Sequence, residues 1–226
     1  MPIDPEVKGT TLMSHHQGTA SGEAPKQLVV MLHGYGADGA DLIGLAPMLG
    51  QVLPDAAFVA PNAPFPCSMA AWGFQWFDID GAGTERRLEG ARFADKILQP
   101  FFDAQLEAHG VPPEELYIFG FSQGMMMALH SGLRRAVQPK CVIGISGRLL
   151  SPELLATEMT NKPPVLLVHG DRDEVVPQES QEKARDALIA AGLDVQSHVV
   201  NGLGHGIDEE AILHTAQFLH RVARET

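Results

Sequence analysis

Leu116-Tyr117-Ile118-Phe119-Gly120-Phe121-Ser122-Gln123-Gly124-Met125-Met126-Met127 passes from an apolar, strand-like run into a helix-like stretch, Met125 to Leu133, with a serine between two glycines at the junction. A chain that turns from strand to helix this sharply needs glycine on both flanks, because a Cβ there would collide as the two elements approach. The serine then projects from the turn above the sheet, in the arrangement called a nucleophile elbow. The new helix also aims its unpaired N–H groups and positive dipole end at any anion forming beside the hydroxyl. The Gly-x-Ser-x-Gly letters alone are a weak signal. The strand before and the helix after give them meaning.

Outward from the elbow, short apolar runs alternate with longer helical ones, which predicts βα units on a largely parallel sheet with helices on both faces. Strands are expected at Gln27 to His33, Ala57 to Ala60, Leu116 to Gly120, Cys141 to Ser146, Val165 to His169 and Val195 to Val200. Most are too continuously apolar to have a solvated face. Arg86 to Ala108 reads as an amphipathic helix with Leu88, Phe93, Ile97, Phe101 and Leu106 on its inner face, and Gln178 to Ala191 and Glu209 to Arg224 read similarly. Pro61 to Gly83, with its prolines and Trp72, Phe74, Trp76 and Phe77, has no regular period, and long irregular loops in compact domains are usually functional. Residues 1–22 are expected to be loosely ordered or to form an edge segment.

The 226 residues carry no linker-like stretch, so one domain, 1–226, is expected. A net charge of -12 without a Lys/Arg cluster argues against nucleic acid and anionic membrane surfaces as partners. No apolar run approaches the roughly 18 residues of a membrane span, so stable membrane insertion is not expected, and the polar N-terminus lacks a secretory apolar core. A cytoplasmic location is the default expectation. Cys67 and Cys141 show no Cys-x-x-Cys spacing, and the ten histidines are dispersed, which points to neither a disulfide framework nor a zinc site.

A serine hydroxyl is a poor nucleophile at neutral pH and needs a base, with a third group to hold that base. Two loops downstream of Ser122 supply them, each following a later strand at the end where open α/β sheets bind ligands. His205, in Asn201-Gly202-Leu203-Gly204-His205-Gly206, stands free among glycines and is the expected base, whereas His33 and His169 end apolar strands and read as satisfied core histidines. On His169-Gly170-Asp171-Arg172-Asp173-Glu174-Val175 the orienting acid is expected to be Asp173 rather than Asp171, which is placed to cap the turn; Glu174 is a third carboxylate on that loop. Acyl transfer further needs two oxyanion donors, each worth ~3 kcal/mol. The backbone N–H groups of Gln123 and of Tyr35, in the glycine-rich loop after the first predicted strand, are the candidates.

That loop also spells Gly34-x-Gly36-x-x-Gly39, a dinucleotide fingerprint in letters. The next strand ends in Pro61-Asn62 where such a site wants an acid, so nucleotide binding is rejected. Trp72, Phe74 and Trp76, with Val175 on the acid loop, are candidates to line an acyl pocket, against the alternative that the aromatics simply fill the core. Met125-Met126-Met127 reads as helix packing.

With Leu32-His33-Gly34-Tyr35-Gly36, Pro61-Asn62-Ala63-Pro64, Gln75-Trp76-Phe77-Asp78, the elbow, Ser146-Gly147, His169-Gly170-Asp171-x-Asp173 and Gly204-His205-Gly206 all in view, the chain resembles the phospholipase/carboxylesterase family of α/β-hydrolases over nearly its whole length. The resemblance implies the α/β-hydrolase fold, a Ser122, Asp173 and His205 triad, an oxyanion hole from Tyr35 and Gln123, and hydrolysis of carboxylic esters or thioesters, small-molecule or acyl-protein. It also implies an enzyme without cofactor, often a homodimer. Two positions depart from the pattern: Glu174 replaces the usual proline and Tyr35 the usual leucine. Only 18 residues separate Ser146 from Val165, too few for a cap domain, so an open groove roofed by Pro61 to Gly83 is expected to favour short or medium acyl chains, or a long chain presented on a bulky leaving group. A lysophospholipase or acyl-protein thioesterase would need the same machinery. The reading outside enzymes is a silent α/β scaffold binding through its aromatic loop.

Overall fold

Strand residues send alternate side chains to opposite faces, and this decides the layering. The computed structural model describes residues 12–68, 72–79 and 83–225. Its main sheet contains β1 (Ser14–Gln17), β2 (Gln27–Leu32) and β3 (Ala56–Pro61). After a separate hairpin of β4 (Phe65–Pro66) and β5 (Phe74–Gln75), it continues with β6 (Leu116–Phe121), β7 (Cys141–Ile145), β8 (Val165–Gly170) and β9 (Val195–Val200). The order in space is β1-β3-β2-β6-β7-β8-β9, parallel except for β1. Leu28, Val30, Leu32, Leu116 and Ile118 bury themselves on the face covered by α3 (Thr84–His109), α4 (Gln123–Gly132), α5 (Leu155–Glu158) and α6 (Glu179–Ala190). Val29, Met31, Tyr117 and Phe119 bury themselves under α1 (Gly39–Ile43), α2 (Ala46–Leu49) and α7 (Glu209–Val222). This is the α/β-hydrolase fold, and only a short helical turn and α5 lie between β7 and β8.

The expected strands all form, shifted only at their ends, and of three further features the first is among the expectations while the other two depart from them. The N-terminal segment supplies an antiparallel edge, with Ser14 to Gln17 paired to Phe58 to Pro61; residues 1–11 lie outside the described set. Phe93 is not on the buried face of α3. That face is Leu88, Ala91, Ala94, Leu98, Phe101, Phe102 and Leu106, because Gly90 must pass close over Phe77, and this turns Phe93 outward against Phe65. The Pro61 to Gly83 loop contains the β4–β5 hairpin and is tied down at several points described below.

The chain leaves β2 for β3 on one side and later builds β6 on the other, so the sheet changes direction between β2 and β6 and opens a crevice at their C-terminal ends. The elbow sits there. Ser122 adopts φ 55, ψ -116, a conformation costing about 1–3 kcal/mol in a non-glycine residue. Close contacts hold it: a Cβ on Gly120 would lie 2.2 Å from the Gly124 carbonyl oxygen, and one on Gly124 would lie 1.8 Å from that of Leu32. Helix α4 can therefore start this near β2 only without side chains at those two positions. Gly124→Ala is expected to destabilise the protein by about 1–3 kcal/mol or more, read as a melting temperature lower by roughly 2–4 °C per kcal/mol for a chain of this size. An unchanged melting curve would show that the elbow has room to spare.

Candidate active site

Three loops, after β6, β8 and β9, bring their polar residues to one point. Ser122 Oγ lies 3.0 Å from His205 Nε2, and His205 Nδ1 lies 2.8 Å from Asp173 Oδ2. An ionised carboxylate only accepts, so Nδ1 carries the imidazole proton and the Nε2 lone pair faces the serine hydroxyl. A neutral imidazole so held can take a hydroxyl proton and return it to another oxygen.

Asp173 is fully committed. Its Oδ1 accepts from the Val175 and Val176 N–H groups at 2.9 and 2.8 Å, and its Oδ2 accepts from His205, with His169 Nε2 3.2 Å away. Burial pushes its pKa up, but the hydrogen bonds from His205, Val176 and Val175 outweigh this and hold the carboxyl below its ordinary range. His169 is a buried histidine, as read from the sequence, that gives Nε2–H to the Val176 carbonyl. Asp171 accepts from Gly202 N–H and so caps the neighbouring loop, while Arg172 N–H donates to Leu203. The acid and histidine loops are thereby stitched together. Glu174 is exposed.

On the other side of Ser122, Gly34 packs against it, with room for a Cβ only 3.2 Å from the Ser122 Cβ. His33 is buried; its Nε2 accepts from Ala63 N–H at 2.9 Å, which leaves Nδ1–H to donate to the Gly34 carbonyl at 2.7 Å. Burial lowers its pKa and keeps it neutral. Ala37 N–H holds the same carbonyl. The peptide plane of Gly34 is thus fixed from its oxygen end, and the Tyr35 N–H, on the opposite edge of that plane, is fixed with it. The Gln123 N–H opens helix α4, where it has no intrahelical acceptor.

The aromatic loop supports this arrangement rather than forming a loose roof. The Gln123 side chain accepts from Trp76 N–H at 2.8 Å and donates to the Phe77 carbonyl at 2.7 Å, and Trp76 Nε1 donates to the His33 carbonyl at 2.9 Å. Gly36 N–H and Phe74 N–H bond across to Phe74 and Ala37. Trp76 is 0% exposed, so it does not line an acyl pocket: its indole is spent holding His33, and its ring packs in the core. Phe74 is half-buried, whereas Trp72 (92% exposed) and Val175 (65%) stand at the surface. The supporting roles of His33, His169 and the Gln123 amide were not read from the sequence. The only local signal for Gln123 was an amide, able both to donate and to accept, immediately after the serine.

Beside His205 a largely apolar hollow of about 280 Å³ is lined by Gly34, Leu42, Phe121, Gly206 and Ile207, together with Asp41 and His33. Among the described residues no group of three metal-ligating side chains comes together, and no helix is long and apolar enough to cross a membrane.

A model of the phospholipase/carboxylesterase family matches residues 15–223. Among solved structures, the crystal structure of esterase PE8 superimposes with a TM-score of 0.89 and 41% identity, covering 94% of this chain and 100% of that one. Esterase YpfH of Escherichia coli (strain K12) is 31% identical over 191 residues, 83% of this chain and 79% of that protein. Acyl-protein thioesterase 1 of Mycosarcoma maydis is 31% identical over 224 residues, 89% and 93% of the two chains. With the α/β-hydrolase fold and the convergence of Ser122, His205 and Asp173 already established, these matches make the chain a member of the phospholipase/carboxylesterase family and a carboxylic ester hydrolase.

Proposed function

We propose that the chain hydrolyses carboxylic esters, and thioesters by the same steps, through an acyl-enzyme on Ser122. His205 takes the Ser122 proton as the oxygen attacks the carbonyl carbon, and the tetrahedral oxyanion is met by the Tyr35 and Gln123 N–H groups. His205 then gives its proton to the leaving oxygen or sulfur, the C–O or C–S bond breaks, and water, deprotonated in turn by His205, releases the acid. Asp173 stays ionised, orients the imidazole and stabilises its cation. The observation that carries this is the unbroken hydrogen-bonded chain from Ser122 Oγ through His205 to Asp173. The steps need no cofactor, since every proton has a donor and an acceptor within them. Relatives named acyl-protein thioesterase favour an acyl-protein thioester as the second substrate to test. A cytoplasmic setting and a homodimer complete the reading.

Ser122→Ala should lower kcat/KM on a nitrophenyl ester by roughly 10³-fold or more while leaving the fold intact. A fluorophosphonate probe should label the wild type alone; labelling that persists in Ser122→Ala would assign the nucleophile elsewhere.

The pH dependence separates the two partners of His205. Because the Asp173 carboxyl is held below its usual range, it stays ionised across the neutral range, so its own protonation should leave no step in kcat/KM there. A depressed carboxyl pKa stabilises the fold above the unfolded value, about 3.9, and that contribution vanishes as pH falls through the lower folded value. Melting temperature measured from pH 2 to 6 should therefore fall more steeply with acid in wild type than in Asp173→Asn; parallel curves would contradict the assignment.

A further inference from the structure

Five of the ten arginines have a carboxylate partner among the described residues. Arg92 and Arg134 share Glu158, Arg135 meets Asp103, Arg185 meets Asp186 and Arg221 meets Asp194. Arg87 and Arg148 are not among them, and unlike the exposed Arg86, Arg172 and Arg224 they are half-buried. Among the described residues no carboxylate lies within ion-pair distance of either. Both Nε atoms are buried without an acceptor. The two guanidinium groups also oppose each other: the Arg148 pKa is lowered by its burial and then by the nearby charge of Arg87. Arg86 and Arg87 moreover lie at the start of α3, where the helix dipole disfavours positive charge. A half-buried pair of like charges whose Nε donors lack acceptors is a cost that a bound anion would reduce.

Position ties the pair to the reacting centre. Arg148 follows Gly147, whose Cα packs so near the elbow that a Cβ there would lie 2.6 Å from the Ser122 carbonyl oxygen. Arg87 donates to the Ile79 carbonyl at 3.3 Å, at the end of the segment that Gln123 clamps at Trp76 and Phe77. The chemistry then divides the cleft. The leaving atom must sit where His205 Nε2 can protonate it, beside the apolar hollow of Leu42, Phe121 and Ile207. With the oxyanion turned to the Tyr35 and Gln123 amides, the acyl substituent is left to extend away from that hollow.

We propose that Arg87 and Arg148 form an anion subsite for the acyl half of the substrate, so that the favoured substrates are monoesters or monothioesters of dicarboxylic acids. This rests on the reading of Ser122 and His205 given above. Hydrolysis then yields a free dicarboxylate and an uncharged alcohol or thiol, the latter released from the apolar hollow.

The test compares 4-nitrophenyl hydrogen adipate with 4-nitrophenyl hexanoate, the same chain with and without a terminal carboxylate, after correction for spontaneous hydrolysis. Wild type should favour the adipate by about tenfold or more in kcat/KM, mainly through KM, the scale of a charge-assisted hydrogen bond. Arg148→Gln and Arg87→Gln should bring the ratio toward one, and Arg148→Lys, which keeps the charge, should retain part of it. A third ester, 4-carboxyphenyl hexanoate, carries its charge on the alcohol half, and its rate relative to the neutral hexanoate should not follow Arg148. The proposal is overturned if wild type turns over the hexanoate through Ser122 yet shows no preference for the adipate, or if the preference survives both glutamine variants. It is equally overturned if Arg148 governs the alcohol-side charge instead. Hexanoate turnover that is independent of Ser122 would instead bring down the nucleophile assignment, and the subsite with it, so the two failures are distinguishable.

Discussion

The contact on which the rest of the site depends is the approach of helix α4 to the end of β2. Gly124 lies so near the Leu32 carbonyl that no side chain fits between them, and Gly120 lies equally near the Gly124 carbonyl. These contacts force Ser122 into positive φ, and the strain is held by bonds on both sides, with Ser122 N–H on the Ile145 carbonyl and Met126 N–H on that of Ser122. Two consequences follow from one steric fact. The hydroxyl stands clear of the sheet, and the first turn of α4 brings the Gln123 amide and side chain beside the loop that leaves β2.

Around this point the loops hold one another. Gln123 clamps the aromatic segment, Trp76 holds the His33 carbonyl, and His33 holds that of Gly34. On the far side, Asp171 and Arg172 bind the histidine loop, and Val175 and Val176 hold Asp173. The proposed reacting groups thus sit in a shell of fixed peptide planes, which reduces the reorganisation needed as charge develops. A buried neutral histidine suits this task at position 33, because it presents one donor and one acceptor to the backbone.

Local signals explain what was legible in the chain. Strands with apolar runs and glycines at a strand–helix junction are decided by neighbours in sequence, so the βα order and the elbow could be read directly. Ser122, Asp173 and His205 could be nominated because each sits on a turn-rich loop after a predicted strand, and hydrogen bonding needs only that those loops meet. Trp76 was the harder case. An aromatic in an irregular loop is compatible with a pocket wall or with core, and only the fold set its indole against His33, far away in sequence. Phe93 failed for a related reason: helical spacing gives a stripe but not which stripe, and Gly90 passing over Phe77 turned the helix.

By itself, then, the sequence determined the order of strands and helices, the turn that presents the serine, and which residue types were available to assist it, since all of these follow from short-range sterics and periodicity. Tertiary structure decided what required distant segments to meet. It brought Asp173 and His205 to Ser122, committed the Gln123 amide and His33 to holding neighbouring loops, buried Trp76, and brought Arg87 near enough to Arg148 for their charges to oppose each other. The reason is that hydrogen-bond partners and charge neighbours are set by which strand ends lie side by side in the sheet, and that adjacency is not written in the local spacing of any one segment.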